Sequence, residues 1–165
     1  SGGVSAGKLD LVPSELAAAG VQQVFHKVQV KPGKPIWFGW REREKIDSSS
    51  GSQRCYVFGL PGNPVSSMVC CELFVRTALR TLFGLEPARP QAVSARLIHD
   101  HHHDGNRPTY YPARLEATET GRTVSLVPWH GSSDLRATTA ANGMAYFPAR
   151  EESYAAGASV NCFPW

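Results

Sequence analysis

Lys27, Lys31 and Lys34 put three ammonium groups within eight residues, and the Pro32-Gly33 turn gathers them. Two other stretches could add backbone donors. Ser1-Gly2-Gly3-Val4-Ser5-Ala6-Gly7 is a loop whose three glycines let the chain approach a ligand closely or take positive φ, with the Ser1 and Ser5 hydroxyls beside them. Leu60-Pro61-Gly62-Asn63-Pro64-Val65-Ser66-Ser67 joins a strand to a helix, which brings free N–H groups and the positive end of a helix dipole to one place. Ammonium groups converging with amide donors suit an oxyanion, commonly phosphate. Asp10, directly after the glycine loop, is a candidate carboxylate for positioning a metal ion or that oxyanion. Each signal also has an ordinary reading: a solvated charge cluster, a flexible chain end, a tight connection, a charge favouring a helix start. Their conjunction points to a site, because ligands of open α/β sheets collect where loops converge at strand ends.

The elements that must position these residues follow from pattern. Arg54 to Gly59 is short, apolar and rich in β-formers, which suits a buried strand. Asn63 is a good N-cap and Pro64 fits the first helical position. The helix then runs to about Phe83 and stops at Gly84, with Val65, Met68, Val69, Leu73, Leu79, Leu82 and Phe83 on its apolar side and Glu72, Arg76 and Arg80 as a polar line. Upstream, Leu11 to Ala19 reads as a short helix closed by Gly20. Val21 to Val30 alternates as a strand; if it continues to Lys31, Lys27 and Lys31 share a face. Ile36 to Arg41 returns as its hairpin partner, and Glu42 to Gln53 is a polar loop.

Glu86 to Pro90 is a linker, and the periodicity changes beyond it. Ala92 to Leu97, Thr109 to Ala117, Arg122 to Pro128, Gly143 to Phe147 and Ala158 to Cys162 are short strand candidates that suggest a small barrel or sandwich. Gly131 to Leu135 caps a brief helical turn ending near Asn142-Gly143, with Ser132 or Ser133 as N-cap. His99-Asp100-His101-His102-His103-Asp104 is expected to be a solvated hairpin tip, because consecutive side chains diverge and no second His/Cys cluster completes a metal site.

The 165 residues allow one domain or two small ones, and 42% hydrophobic with 19% charged residues describe an ordinary globular chain. A net charge of +3 without a dense basic stripe gives no argument for nucleic acid. No apolar run approaches a membrane span and no signal-peptide pattern opens the chain. Cys55, Cys70, Cys71 and Cys162 contain no C-x-x-C pair and read as reduced, buried small hydrophobes of a cytosolic protein. The glycine-rich start suggests a fragment of a longer protein.

Ser1-Gly2-Gly3-Val4-Ser5-x-Gly7-x-x-Asp10, then Lys31-Pro32-Gly33-Lys34-Pro35, then Leu60-Pro61-Gly62-Asn63-Pro64-Val65-Ser66 resemble, in order and spacing, the second half of the central domain of MoeA-type molybdopterin molybdotransferases. That family includes the C-terminal enzyme module of gephyrin. Gly131-Ser132 and Ala141-Asn142-Gly143 are similar to its C-terminal β-barrel domain. The resemblance implies the C-terminal half of a three-layer α/β molybdopterin-binding domain over 1–86 and a β-barrel domain over 91–165. It implies insertion of molybdate into adenylylated molybdopterin with release of AMP, assisted by Mg2+, in a cytoplasmic homodimer supplied by the molybdopterin adenylyltransferase, with no nucleic acid or membrane partner. Asp10, Lys27 and Lys31 match positions implicated in catalysis or molybdate handling, and Asp10 is also the metal candidate. Ser1, Gly2, Gly3, Ser5, Gly7, Lys34, Pro61, Gly62, Asn63, Pro64, Ser66 and Ser132 match the nucleotide and pterin site.

The chain departs from the family in three ways. Lys8 stands where an acid is usual. Pro112 stands where a barrel arginine is expected, with Arg114 two residues on as its substitute. The first half of the central domain is absent, so the chain alone is expected to be inactive. These departures leave an alternative: a catalytically impaired paralogue that serves as a peptide-binding scaffold. A protein sharing only the α/β domain is a third reading, and the barrel argues against it.

Overall fold

The computed structural model describes residues 2–5, 7, 9–43 and 54–165. Ser1, Lys8 and the polar loop tip of 44–53 lie outside the described residues, and so do the expectations that rest on them. A mixed α/β region is followed by a closed five-stranded β-barrel, the architecture the sequence implies.

The first helix, α1 (Val12–Ala18), has a proline in its first turn and ends near Gly20, whose φ is +74°. Three antiparallel strands follow, β1 (Gln22–His26), β2 (Trp37–Glu42) and β3 (Arg54–Gly59), ordered β1-β2-β3. The register Trp37↔Gly59 and Phe38↔Phe58 sends Trp37 to one face and Phe38, Tyr56 and Phe58 to the other. Phe25 and Phe58 pack tilted against Phe38 at 5.4 and 4.6 Å between ring centroids. β1 ends earlier than its alternation suggests. Lys27 takes φ +67°, its N–H donates to the Ile36 carbonyl, and Val28 N–H donates to the Lys34 carbonyl, so the chain turns back before Lys31. The condition for Lys27 and Lys31 to share a strand face is therefore not met.

A helix runs from α2 (Pro64–Cys70) through a π-helical turn at Cys71–Val75 into α3 (Arg76–Leu82). The end at Gly84 is a Schellman cap: Gly84 N–H donates to Thr81 and Leu85 N–H to Arg80, with Gly84 at φ +65°. Glu72 and Arg76 pair at 2.7 Å, and Arg80 instead binds the Pro87 carbonyl. The apolar side is continuous only in the first part. Val65 and Val69 are 1% exposed, whereas Leu79, Leu82 and Phe83 are 49, 59 and 75% exposed. A π turn takes up one extra residue, which rotates the positions beyond it by roughly 100° and breaks a stripe drawn at α-helical spacing.

The barrel order is β10-β4-β7-β6-β8, formed by β4 (Val93–Leu97), β6 (Thr109–Thr118), β7 (Gly121–Leu126), β8 (Gly143–Phe147) and β10 (Ser159–Pro164). Each was a strand expectation, and alternation places Ala95, Leu97, Ala113, Val124, Ala145, Phe147, Val160 and Cys162 inside. A second cluster, Val65, Val69 and Met144 with Tyr110, Phe163 and Trp165 against it, docks α2 on the outer wall of the barrel.

Two further strands correct the expectation of a solvated tip. β5 (His101–His103) pairs with β9 (Glu152–Tyr154), and His103 is only 5% exposed. A partner some fifty residues away in sequence carries no local signal, so the histidine run alone could not reveal it. The last helix, α4 (Leu135–Ala140), has Asp134 at its N-cap rather than Ser132 or Ser133, and Ser132 is engaged elsewhere. All four cysteines are free. Cys70 and Cys162 are buried as expected, and burial pushes their thiols up to about 12 and about 11, but Cys71 is exposed on the π turn. No helix among the described residues is long and apolar enough to cross a membrane.

Candidate functional site

An open cleft of about 270 Å³ lies where four separate segments meet. One wall is the 31–35 loop, held from two sides. Lys31 N–H donates to the Pro108 carbonyl and Tyr110 N–H to the Lys31 carbonyl, both at 2.8 Å, which makes a parallel bridge from Lys31 to Thr109 at the head of β6. On the other side Cys70 Sγ donates to the Gly33 carbonyl at 3.4 Å. Gly33 has φ +114°, and a Cβ there would stand 2.6 Å from Cys70 Sγ, so both conformation and space call for glycine.

The opposite wall joins the strand-to-helix turn to the loop before α4. Asn63 Nδ2 donates to Ser132 Oγ at 2.7 Å and Val65 N–H donates to the Ser132 carbonyl at 3.1 Å. Ser67 Oγ donates to the Pro61 carbonyl, and Trp129 Nε1 donates to Gly131. Asn63 therefore sits at the N-cap position without capping through its side chain. Fewer helix donors are free than the sequence suggests, since Pro64 has no N–H and Val65 is spent on Ser132. Asn63→Ala is expected to lower stability by about 1 kcal/mol, and Ser132→Ala by a similar amount. Urea denaturation of the double variant should show little more than either single loss, because both remove the same bond.

Lys31, Lys34 and Arg107 all line the cleft, and among the described residues no Asp or Glu does. None of the three cations forms an ion pair among the described residues. Arg107 is aligned by a long contact from Nη1 to the Val30 carbonyl, 3.5 Å. Three cations without an ion pair among the described residues, over a buried floor of Pro61 and Ser66, suit an anion.

Of the residues singled out in the sequence, Lys31, Lys34, Pro61, Asn63, Ser66 and Ser132 meet in this cleft. Gly2 packs on Gly62, its would-be Cβ 3.7 Å from the Gly62 Cα, so the glycine loop abuts the turn that forms the floor, and Pro64 opens the helix beside it. Gly3 takes φ +67° and accepts from Val12 N–H, while Ser5 and Gly7 are exposed. Asp10 and Lys27 do not line the cleft. Asp10 Oδ2 accepts from Gly7 N–H at 2.6 Å and closes the loop on itself. Arg114 points away on β6 with Glu116 at 3.4 Å, and Pro112 is fully buried there. Arg107 and Trp129 are cleft residues that the reading of the sequence did not assign to the site. Arg107 stands 77 residues from the Val30 carbonyl it reaches, a distance no local motif encodes.

Mg2+ is a poor fit to the described residues. No group of three His, Cys, Asp or Glu side chains among them could hold an ion, the cleft is lined by cations, and Asp10 is engaged by an amide.

A family model described as a probable molybdopterin binding domain matches residues 1–81, and one described as the MoeA C-terminal region (domain IV) matches 94–165. The chain is similar to the molybdopterin molybdenumtransferase of Synechocystis sp. (strain ATCC 27184 / PCC 6803 / Kazusa), 42% identical over 74 residues, 45% of this chain and 17% of that one. It is similar to the enzyme of the same name from Staphylococcus epidermidis (strain ATCC 12228 / FDA PCI 1200), 28% identical over 144 residues, 87% of this chain and 32% of that one. The chain thus spans a third or less of the length of these relatives. Among solved structures, the molybdopterin biosynthesis MoeA protein of Pyrococcus horikoshii OT3 superposes with a TM-score of 0.65 at 25% identity, covering 94% of this chain and 38% of that one. A molybdenum cofactor biosynthesis protein of Pyrococcus furiosus shares the fold, with a TM-score of 0.63 at 24% identity over 94% of this chain and 54% of that one.

Proposed function

We propose, because this chain belongs to the MoeA-type molybdopterin molybdenumtransferase family, that its cleft holds the anionic groups of adenylylated molybdopterin while molybdate enters the dithiolene and AMP leaves. The observation that carries this reading is the lining of the cleft: Lys31, Lys34 and Arg107, with no carboxylate beside them among the described residues. Phosphate and molybdate oxyanions repel one another, and ammonium and guanidinium groups fixed on two separate segments lower that repulsion and hold the reactants together. Asn63, Ser66 and Ser132 add neutral donors and acceptors at the floor.

Lys27 and Asp10 act from outside the cleft in this reading. Asp10 fixes the glycine loop through Gly7, and the loop in turn backs Gly62. Residues 1–86 form part of a molybdopterin-binding domain and 91–165 the barrel domain of a longer cytoplasmic protein, which works as a homodimer and receives its substrate from an adenylyltransferase.

Calorimetric titration of the longest native chain with adenylylated molybdopterin, with and without molybdate, tests the reading. Lys31→Ala and Arg107→Ala are each expected to weaken binding about 10- to 100-fold, the effect of losing one charge-assisted contact of about 1.5–3 kcal/mol. Affinity unchanged from that of the native chain in both variants would remove the cleft from the mechanism. No binding by the native chain would favour the peptide-binding scaffold instead.

A further inference from the structure

The β5–β9 ribbon lies against the end of the barrel, and what it presents there is unusual for a surface ribbon. His101 lies tilted against Phe147 with 4.5 Å between ring centroids and meets the edge of Tyr111 at 5.6 Å. His103 stacks on the same Phe147 at 5.5 Å. Both rings bury Nε2 with no hydrogen-bond partner among the described residues. The His103 ring is also closed in by backbone: a Cβ on Gly105 would stand 2.4 Å from its Cε1 and 2.6 Å from its Nε2. A neutral imidazole can leave a bare lone pair in such a place at modest expense. An imidazolium would bury an unpaired N–H and a charge there, at far greater expense.

We propose that β5 is an acid-released clasp: protonation of His103, with His101, detaches β5 from Phe147 and from β9, and loosens the turn that carries Arg107 into the cleft. The connection is short. Gly105 to Pro108 lead straight from β5 to the Pro108 carbonyl that binds Lys31 N–H, and the Arg107 carbonyl lies 3.3 Å from the would-be Gly105 Cβ.

The charged and titratable groups around the pair divide. From β9, Glu152 faces His103 and is itself held by Arg150 and the Tyr154 hydroxyl. Asp104 on the same segment favours the protonated rings, as does the bond from His103 to the Pro148 carbonyl. Against them stand burial first, then Lys31 for His103 and the neighbouring imidazoles for both. Tyr111 and Tyr154 face the rings as neutral phenols whose own ionisation burial pushes higher. Burial wins, and both histidines are held below the ordinary imidazole range. The clasped state therefore takes up fewer protons than the open one. Its advantage is complete above the ordinary imidazole value and is lost as pH falls through that value toward the depressed one.

Hydrogen exchange from pH 7.5 to 5.0 reads this directly, with peptides covering 99–108 and 150–156 compared at each pH with peptides of β6 and β8, so that the intrinsic pH dependence cancels. The protection ratio is expected to fall about tenfold by pH 5.0, where an imidazole of ordinary value in the opened segment is largely protonated. His103→Leu should weaken the dependence and leave only the share that His101 contributes, and His102→Ala, altered at an exposed side chain of the same strand, should keep it. If His103→Leu does not fold, the wild-type profile still decides. A ratio that stays flat in the wild type, or a transition lost in His102→Ala, overturns the clasp.

Discussion

Phe147→Ala is expected to destabilise the protein by about 3–5 kcal/mol, the range for deleting a buried aromatic ring and leaving most of its cavity behind. Phe147 has no exposed surface, ends β8 inside the barrel, and touches His101, His103 and Tyr154 on three sides. Few neighbours can move in, because the ribbon that could collapse onto the cavity is the one the ring supports. Urea denaturation followed by tryptophan fluorescence should show the midpoint falling with little change in slope. Native domains have a margin of only about 5–15 kcal/mol, so the loss removes a large fraction of it. A loss below about 1 kcal/mol would mean that β5 and β9 do not cover the barrel end.

Gly33→Ala carries the second large effect, about 2–6 kcal/mol, from two separable causes. The backbone at φ +114° is strained for any residue with a Cβ, worth about 1–3 kcal/mol. The added methyl also meets Cys70 Sγ at 2.6 Å, an overpacking cost of similar size. Adding Cys70→Ala should recover the second part and leave the first, which chemical denaturation of the single and double variants can resolve. Anion affinity should fall with stability in the single variant, because the same loop carries Lys31 and Lys34. Full recovery in the double variant would show that the backbone conformation costs nothing there.

Much of this was legible in the residues. β3 has the bounds its β-formers suggest, Gly84 ends the helix in the expected left-handed cap, and five barrel strands follow the period-two alternation between turn residues. These features are local, decided by a few neighbouring side chains and the conformations open to glycine and proline. What was not legible depends on distant partners. The histidine run reads as polar and solvated until Glu152–Tyr154 is laid beside it. Leu79, Leu82 and Phe83 read as buried because nothing local announces the π turn that rotates them outward. The cleft follows the same division. Lys31, Lys34, Asn63 and Ser66 come from motifs, while Arg107 and Trp129 enter only because the barrel brings them there.

The parallel bridge between Lys31 and Thr109 bears on how the molecule assembles. The lysine loop takes its shape from a strand that follows it by most of a domain's length, and the 129–132 loop that faces it comes later still. During synthesis the three-stranded sheet can form first, but the cleft cannot exist until β6 has left the ribosome and the barrel has closed. Anion recognition is then the last property the chain acquires and the first it forfeits when the barrel loosens. Two separately made pieces, divided in the 86–90 segment, would each lack it and could regain it only by docking Val65 and Val69 against Met144.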